Sequence, residues 1–209
     1  AGGMRGERSA ERPGAGTDHR CECGGDFGGV MMSAAPSERT AIGDLPPGWR
    51  IMTVSDFAAK VGSGATPHGG KSVYLTQRAS HALIRSQHVF DRYFDNVGLA
   101  FISEEHSREL RNAEVRSGDV LLNITGDGVT FARACIVPDE ILPACVNQHV
   151  SIIRVNREVY EPGYLLSFLT HPLAKRYMES FNTGGSRRAL TKGHIESFEV
   201  PLPPLPIQR

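Results

Sequence analysis

Cysteine is scarce in this chain. Four residues in 209 are too few for a disulfide-stapled scaffold. Long apolar runs are missing as well. Nothing approaches the ~20 residues that span a bilayer, so no membrane association is expected. Charge of one sign is absent in bulk, because 23 Lys and Arg balance 23 Asp and Glu. Net charge therefore points to no class of partner. What remains, 40% hydrophobic and 22% charged residues, is the composition of an ordinary globular chain.

Signatures of catalysis are also missing. A metal-dependent nuclease of the (Asp/Glu)-x-Lys type needs an acid two residues before a lysine. Ala58, Gly69, Leu173 and Leu190 occupy those places before Lys60, Lys71, Lys175 and Lys192. There is no Gly-x-x-x-x-Gly-Lys phosphate loop, no Gly-x-Gly-x-x-Gly, and no Pro-Pro motif with the neighbours of an adenine methyltransferase. Glu104-Glu105-His106 lacks a second ligand at helical spacing, and Cys21-x-Cys23 has only His19 nearby, so no metal site is expected. No cofactor is implied. Cys135 and Cys145 read as small core hydrophobes.

The first 44 residues contain ten of the 23 glycines and no apolar periodicity. They read as a disordered tail or a mis-assigned start, with Met31 or Met32 as the candidate initiator. Order is expected from Leu45. Beyond it the pattern predicts an α+β domain, residues 45–209, with a mixed, mainly antiparallel sheet and short helices packed on it. A helix is expected over 54–61, with Val54, Phe57, Ala58 and Val61 on one face. Strands are expected at 82–85, 97–102, 120–124, 131–137 and 150–155, with Gly126-Asp127-Gly128 as a tight hairpin turn. Helices follow from Pro162 and Pro172, and Thr191 caps a short one. The closing Pro201-Leu202-Pro203-Pro204-Leu205-Pro206 cannot be an interior helix or central strand and reads as an exit from the domain.

Charge is unevenly placed. Residues 171–194 hold Lys175, Arg176, Arg187, Arg188 and Lys192 against the single acid Glu179. A basic concentration of this kind suits either phosphate binding or a solvated helix face.

Several segments taken in order resemble the specificity subunits of type I restriction–modification systems. They are Leu45-Pro46-Pro47-Gly48-Trp49, Gly62-Ser63-Gly64-Ala65-Thr66-Pro67, Leu83-Ile84-Arg85-Ser86-Gln87-His88-Val89, Ser117 through Gly126, Val146-Asn147-Gln148-His149-Val150, Gly184 through Thr191, and Pro201 through Gln208. The resemblance implies a target recognition domain without catalytic activity, working in the cytoplasm. It would read one half of a split site in double-stranded DNA and direct methyltransferase and restriction subunits there. Members carry two such domains, each followed by a spacer helix. This chain holds one, stops where the helix would start, and has Ile207 where the family often has Glu. It therefore reads as an excised domain, a truncated product or half a subunit, and whether it self-associates to imitate two half-sites stays open.

Within that reading, phosphates would be met by Ser186, Arg187, Arg188, Thr191 and Lys192, where glycines expose backbone N–H groups beside a helix start. Bases would be read by side chains that present paired hydrogen bonds, Gln77, Arg78, Arg85 and Gln87, with Ser63, Thr66 and Lys71 in the adjoining loop. Asn147 and Gln148 suit a role in tying loops together. The alternative is an interaction scaffold that binds a methyltransferase subunit without reading DNA itself.

Overall fold

The computed structural model describes residues 39–40, 43–181 and 188–209. The chain divides into two units, 1–34 and 35–209, and the first lies outside the described residues, together with His19, Cys21, Cys23, Met31 and Met32. Ahead of Leu45, β1 (Arg39–Thr40) pairs antiparallel with β2 (Gly43–Asp44). Next come β3 (Arg50–Thr53), the single turn α1 (Val54–Phe57), and β4 (Ala58–Ser63). A polar loop leads to β5 (His81–Ile84), the small hairpin of β6 (Val89–Phe90) and β7 (Tyr93–Phe94), and β8 (Ala100–Ile102). The helix α2 (Glu104–Glu109) starts at the Ser103 cap, whose hydroxyl accepts from the His106 N–H at 3.4 Å. Six strands follow: β9 (Glu114–Val115), β10 (Val120–Asn123), β11 (Thr125–Gly126), β12 (Ala134–Ile136), β13 (Ala144–Val146) and β14 (Val150–Val155). The helices α3 (Pro162–Leu169) and α4 (Pro172–Ser180) both start on proline, which suits the first turn. Last come β15 (Arg188–Ala189), α5 (Lys192–Glu196), β16 (Glu199–Leu202) and α6 (Leu205–Gln208).

The run Val120-Leu121-Leu122 sets the layering. A strand sends successive side chains to opposite faces, so an unbroken apolar run needs cover on both sides. Val120 and Leu122 pack into a core with Phe57, Leu165, Leu169 and Ile195 from the helices and with Tyr160 and Phe198 beside them. Leu121 packs the other way, with Cys135 and Ile152, against Leu83, Ile102 and Cys145. The sheet carrying β10 is antiparallel, in the order β12-β10-β14-β4, and is covered on one face by helices. On the other face lies a second sheet, β8-β5-β13-β9, mixed because β5 and β13 run parallel. Burial pushes the thiols of Cys135 and Cys145 up to about 12, as expected of inert core cysteines. Among the described residues no helix is long and apolar enough to cross a membrane.

Four local expectations are corrected. The helix expected over 54–61 stops at Phe57, and 58–63 is strand. The period of Val54, Phe57, Ala58 and Val61 fits a helix, but β14 offers an open edge along which β4 pairs from Ala58 to Ser63, and tertiary pairing overrides the local preference. The strand expected from Val97 begins at Ala100, because the Asp95 carboxylate accepts from the Val97 N–H at 2.9 Å and makes a turn there. The tight hairpin turn at 126–128 is part of a wider loop, residues 124–133, in which Thr125 and Gly126 pair with Ala189 and Arg188. A Cβ on Gly126 would lie 2.4 Å from Thr130 Oγ1 and 2.7 Å from the Phe131 nitrogen, so only glycine lets the loop fold back on itself. Finally, the proline-rich end does not leave the domain. Its strand pairs with β3 as a two-stranded ribbon, where proline is tolerated at an edge. The Tyr160 hydroxyl donates to the Pro201 carbonyl at 3.0 Å. The buried Gln208 amide donates to the carbonyls of Pro203 and Val159 at 2.9 and 3.2 Å.

Candidate nucleic-acid interface

The two sheets deliver their polar loops to one rim. Parallel pairing of β5 with β13 sets Ile84 beside Val146, so the segments that follow them, Arg85-Ser86-Gln87 and Asn147-Gln148-His149, emerge side by side. The Asn147 N–H donates to the Ile84 carbonyl at 3.0 Å. Both β4 and β10 run antiparallel to β14, so they end at the same place, with Ser63 opposite Ser151 and Asn123 opposite Val150. The loop after β4 is drawn in by a bond from the Gly64 N–H to the Asn147 carbonyl at 3.1 Å.

Side chains then lock these segments together. Thr66 Oγ1 donates to Gln148 Oε1 at 2.7 Å, and Gln148 Nε2 lies 3.1 Å from His149 Nε2. An amide nitrogen can only donate, so the His149 Nε2 accepts and its Nδ1–H donates to Thr125 Oγ1 at 2.7 Å. Asn123 is fully buried. Its amide donates to the carbonyls of Ser86, Thr130 and Val89 at 2.9, 3.1 and 3.4 Å, tying the 85–89 turn to the 124–133 loop.

His88 closes the turn beneath Arg85. Its Nδ1 accepts from the Arg85 N–H at 3.0 Å, and its own N–H donates to the Arg85 carbonyl at 2.9 Å. Burial first, and then the Arg85 charge, lower the imidazole to about 4. The folded state therefore holds His88 neutral, while the unfolded chain takes up a proton below its ordinary value near 6.5. His88 should not affect stability above about pH 7. Below that its cost should grow as the pH falls, reaching roughly 2–3 kcal/mol near pH 4.5 and levelling off below about 4. Urea denaturation of wild type and His88→Asn at both ends of this range checks the expectation. A variant as acid-sensitive as wild type would show that other groups carry the effect.

Two cavities open on this rim. One, of about 440 Å³, is lined by Thr66, Lys71, Tyr74, Arg85, Gln87 and Gln148 among others. The second, of about 490 Å³, includes Thr125, Asp127, Thr130 and Arg188. They share Ser86 and His149, so they form one cleft. Of the expected base readers, Thr66, Lys71, Arg85 and Gln87 meet here. Ser63 ends β4 just outside the lining. Gln77 is exposed and does not line it. Arg78 is tied to the carbonyls of Ile141 and Leu142 at 3.0 and 3.1 Å and lies over the Phe101 ring.

Of the expected phosphate residues, Arg188 lines the cleft, but it is paired with Glu179 at 2.6 Å. The Thr191 hydroxyl accepts from the His194 N–H at 3.1 Å, as a helix cap. Lys192 faces Glu196 at 3.4 Å. Ser186 and Arg187 lie outside the described residues. The residues that sequence reasoning overlooked are Ser86, Thr125 and His149. The one signal they leave is a polar stretch placed just past the end of an apolar strand. Among the described residues no group of three or more His, Cys, Asp or Glu could hold a metal.

A family described as "Type I restriction modification DNA specificity domain" matches residues 85–209. The putative type I restriction enzyme MjaX specificity subunit of Methanocaldococcus jannaschii is 19% identical over 173 residues, 82% of this chain and 40% of that protein. The crystal structure of the HsdS subunit from Thermoanaerobacter tengcongensis superposes with a TM-score of 0.56 at 21% identity, over 79% of this chain and 36% of that one. A chain from work on the complex assembly and conformational transition of the type I R-M system gives a TM-score of 0.57, also at 21% identity and with the same coverage. The chain thus spans about two fifths of the curated relative's length.

Proposed function

The chain belongs to the type I restriction modification DNA specificity domain family, and from that premise we propose that the cleft at the strand ends is the surface with which it reads DNA. One observation carries the reading: segments around 63–67, 85–87, 123–126 and 147–149 are far apart in sequence yet meet at one rim. Polar side chains braced on strand ends suit base reading, because the hydrogen-bonding groups are held and not merely tethered. Thr66 and Gln87 are the base readers in this proposal. Arg188, once exchanged from Glu179 to a phosphate, flanks them.

The same premise extends to the assembly. A chain of this length provides one reading module for one half of a split site, and the remaining length of its relatives leaves room for another. It would bring methyltransferase and restriction subunits to DNA in the cytoplasm and perform no chemistry itself. The scaffold alternative leaves the braced polar rim without a role.

Selection from random duplexes, followed by titration of selected and scrambled sequences, tests the reading. One module should bind random DNA with a Kd around 10⁻⁴–10⁻⁶ M at physiological salt. Gln87→Ala should cost about 1–3 kcal/mol on the selected duplex and leave the scrambled one unchanged. Circular dichroism confirms that each variant is folded. Absence of any selected sequence, or equal losses on both duplexes, would overturn the assignment.

A further inference from the structure

We propose that the cavity between Lys71 and Gln148 seats a backbone phosphate of DNA, held by Lys71 and Arg85, so that these two residues orient the duplex instead of reading its bases. The proposal rests on the DNA-reading function above and reassigns two of its expected base readers.

The lining of this cavity contains Lys71 and Arg85 and no carboxylate. Arg154, Lys175, Arg188, Lys192 and Arg209 each face an acid. Lys71 and Arg85 take part in no ion pair among the described residues. Arg85 is moreover half-buried, and a cation drawn out of water without a counter-ion is unfavourable. An anion entering the cavity would relieve that cost.

The posture of Arg85 fits a phosphate better than a base. One terminal nitrogen donates to the Gly98 carbonyl at 2.7 Å. The guanidinium carbon stands 5.7 Å from the Tyr74 ring centre, and Nε is enclosed without an acceptor. Reading guanine uses both donors of the fork at once, and here one terminal nitrogen is already engaged. A tetrahedral anion can accept from whichever N–H groups remain.

A neutral group of the lining supplies a donor too. Gln148 uses one amide hydrogen on His149, leaving the second uncommitted. A lining with two cations, uncommitted donors and no carboxylate matches phosphate oxygens, which only accept.

The test uses the full chain and Lys71→Gln, whose parent side chain is exposed and makes no ion pair, with Arg85→Lys as the variant that keeps charge and loses the fork. Binding to selected and scrambled duplexes is measured across salt concentrations. Lys71→Gln should lower the slope of log K against log salt by about 0.9, with the same fold-loss on both duplexes. Arg85→Lys should keep the slope and weaken both duplexes equally. An unchanged slope for Lys71→Gln, or loss confined to the selected duplex for either variant, would make the residue a base reader and overturn the seat while sparing the DNA-reading function. In parallel, the melting temperature is followed against inorganic phosphate at constant ionic strength. Wild type should gain stability and Lys71→Gln should not. A wild type indifferent to phosphate overturns the seat. A wild type that binds no duplex but responds to phosphate would overturn DNA reading and keep an anion site.

Discussion

Gly64→Ala is expected to cost the fold about 3–4 kcal/mol and to lower Tm by roughly 10 °C. Gly62→Ala, two residues earlier in the same strand and loop, should leave Tm unchanged or raise it slightly. The difference lies in what a methyl group would meet. At Gly64 an added Cβ would stand 1.7 Å from the Val146 carbonyl oxygen and 2.5 Å from its carbon. That obstacle is backbone at the end of β13, held beside Ile84 by strand pairing, and cannot swing aside. Relief would require the loop to lift, breaking the bond from the Gly64 N–H to the Asn147 carbonyl. At Gly62 nothing lies within 4 Å, and alanine is less costly than glycine to order in a strand. Thermal melts followed by circular dichroism compare the pair directly. Equal melting temperatures would mean that the approach of β4's loop to β13 is not the constraint described. Because this loop carries Thr66 to Gln148, any Gly64→Ala that stays folded should also lose base preference.

Asp119→Ala should be destabilising by about 3–5 kcal/mol, the usual consequence of stranding one member of a buried ion pair. The Asp119 side chain is only 1% exposed, against 19% for Arg154. Its two oxygens accept from Arg154 Nε and a terminal nitrogen, both at 2.7 Å, and from the Arg116 N–H at 2.8 Å. The doubly bonded geometry is the strong form of this pair. Without the carboxylate, the guanidinium stays under the sheet with little besides the Glu114 carbonyl at 3.3 Å. The double variant Asp119→Leu with Arg154→Met should recover most of the loss, since replacing both charges removes the stranded one. Urea unfolding of the two single variants and the double one gives the coupling energy. Additive losses would show that the pair contributes no more than its separate parts. Asp119 precedes β10, whereas the rim lies beyond its far end at Asn123, so the double variant should keep its base preference.

Much of this molecule was legible locally. Residues 120–124 and 150–155 read as strands because short apolar runs bounded by turn residues are too short for helices. Ser103 and Thr191 announced the helices they cap, and Pro162 and Pro172 the first turns they occupy. The resemblance located Gly62 to Pro67, Leu83 to Val89, Val146 to Val150 and the others as a series. Base-reading and phosphate residues were divided by side-chain type alone, and that is where local reading ran out. Arg78 and Arg85 look alike in sequence, yet one is bound to the carbonyls of Ile141 and Leu142 and the other enters the cleft.

By itself, then, the sequence determined an α+β chain with two-sided strands, capped short helices, and polar loops at the strand ends. Those features depend on neighbours within a turn or a strand. Tertiary structure alone decided that Ile84 lies beside Val146, that 58–63 joins a sheet edge instead of extending a helix, and that Glu179 occupies Arg188 while Lys71 and Arg85 have no acid. Apolar patterning states which side of a strand is buried but not which strand it meets. Whether a cation has a counter-ion depends on a residue brought from elsewhere in the chain.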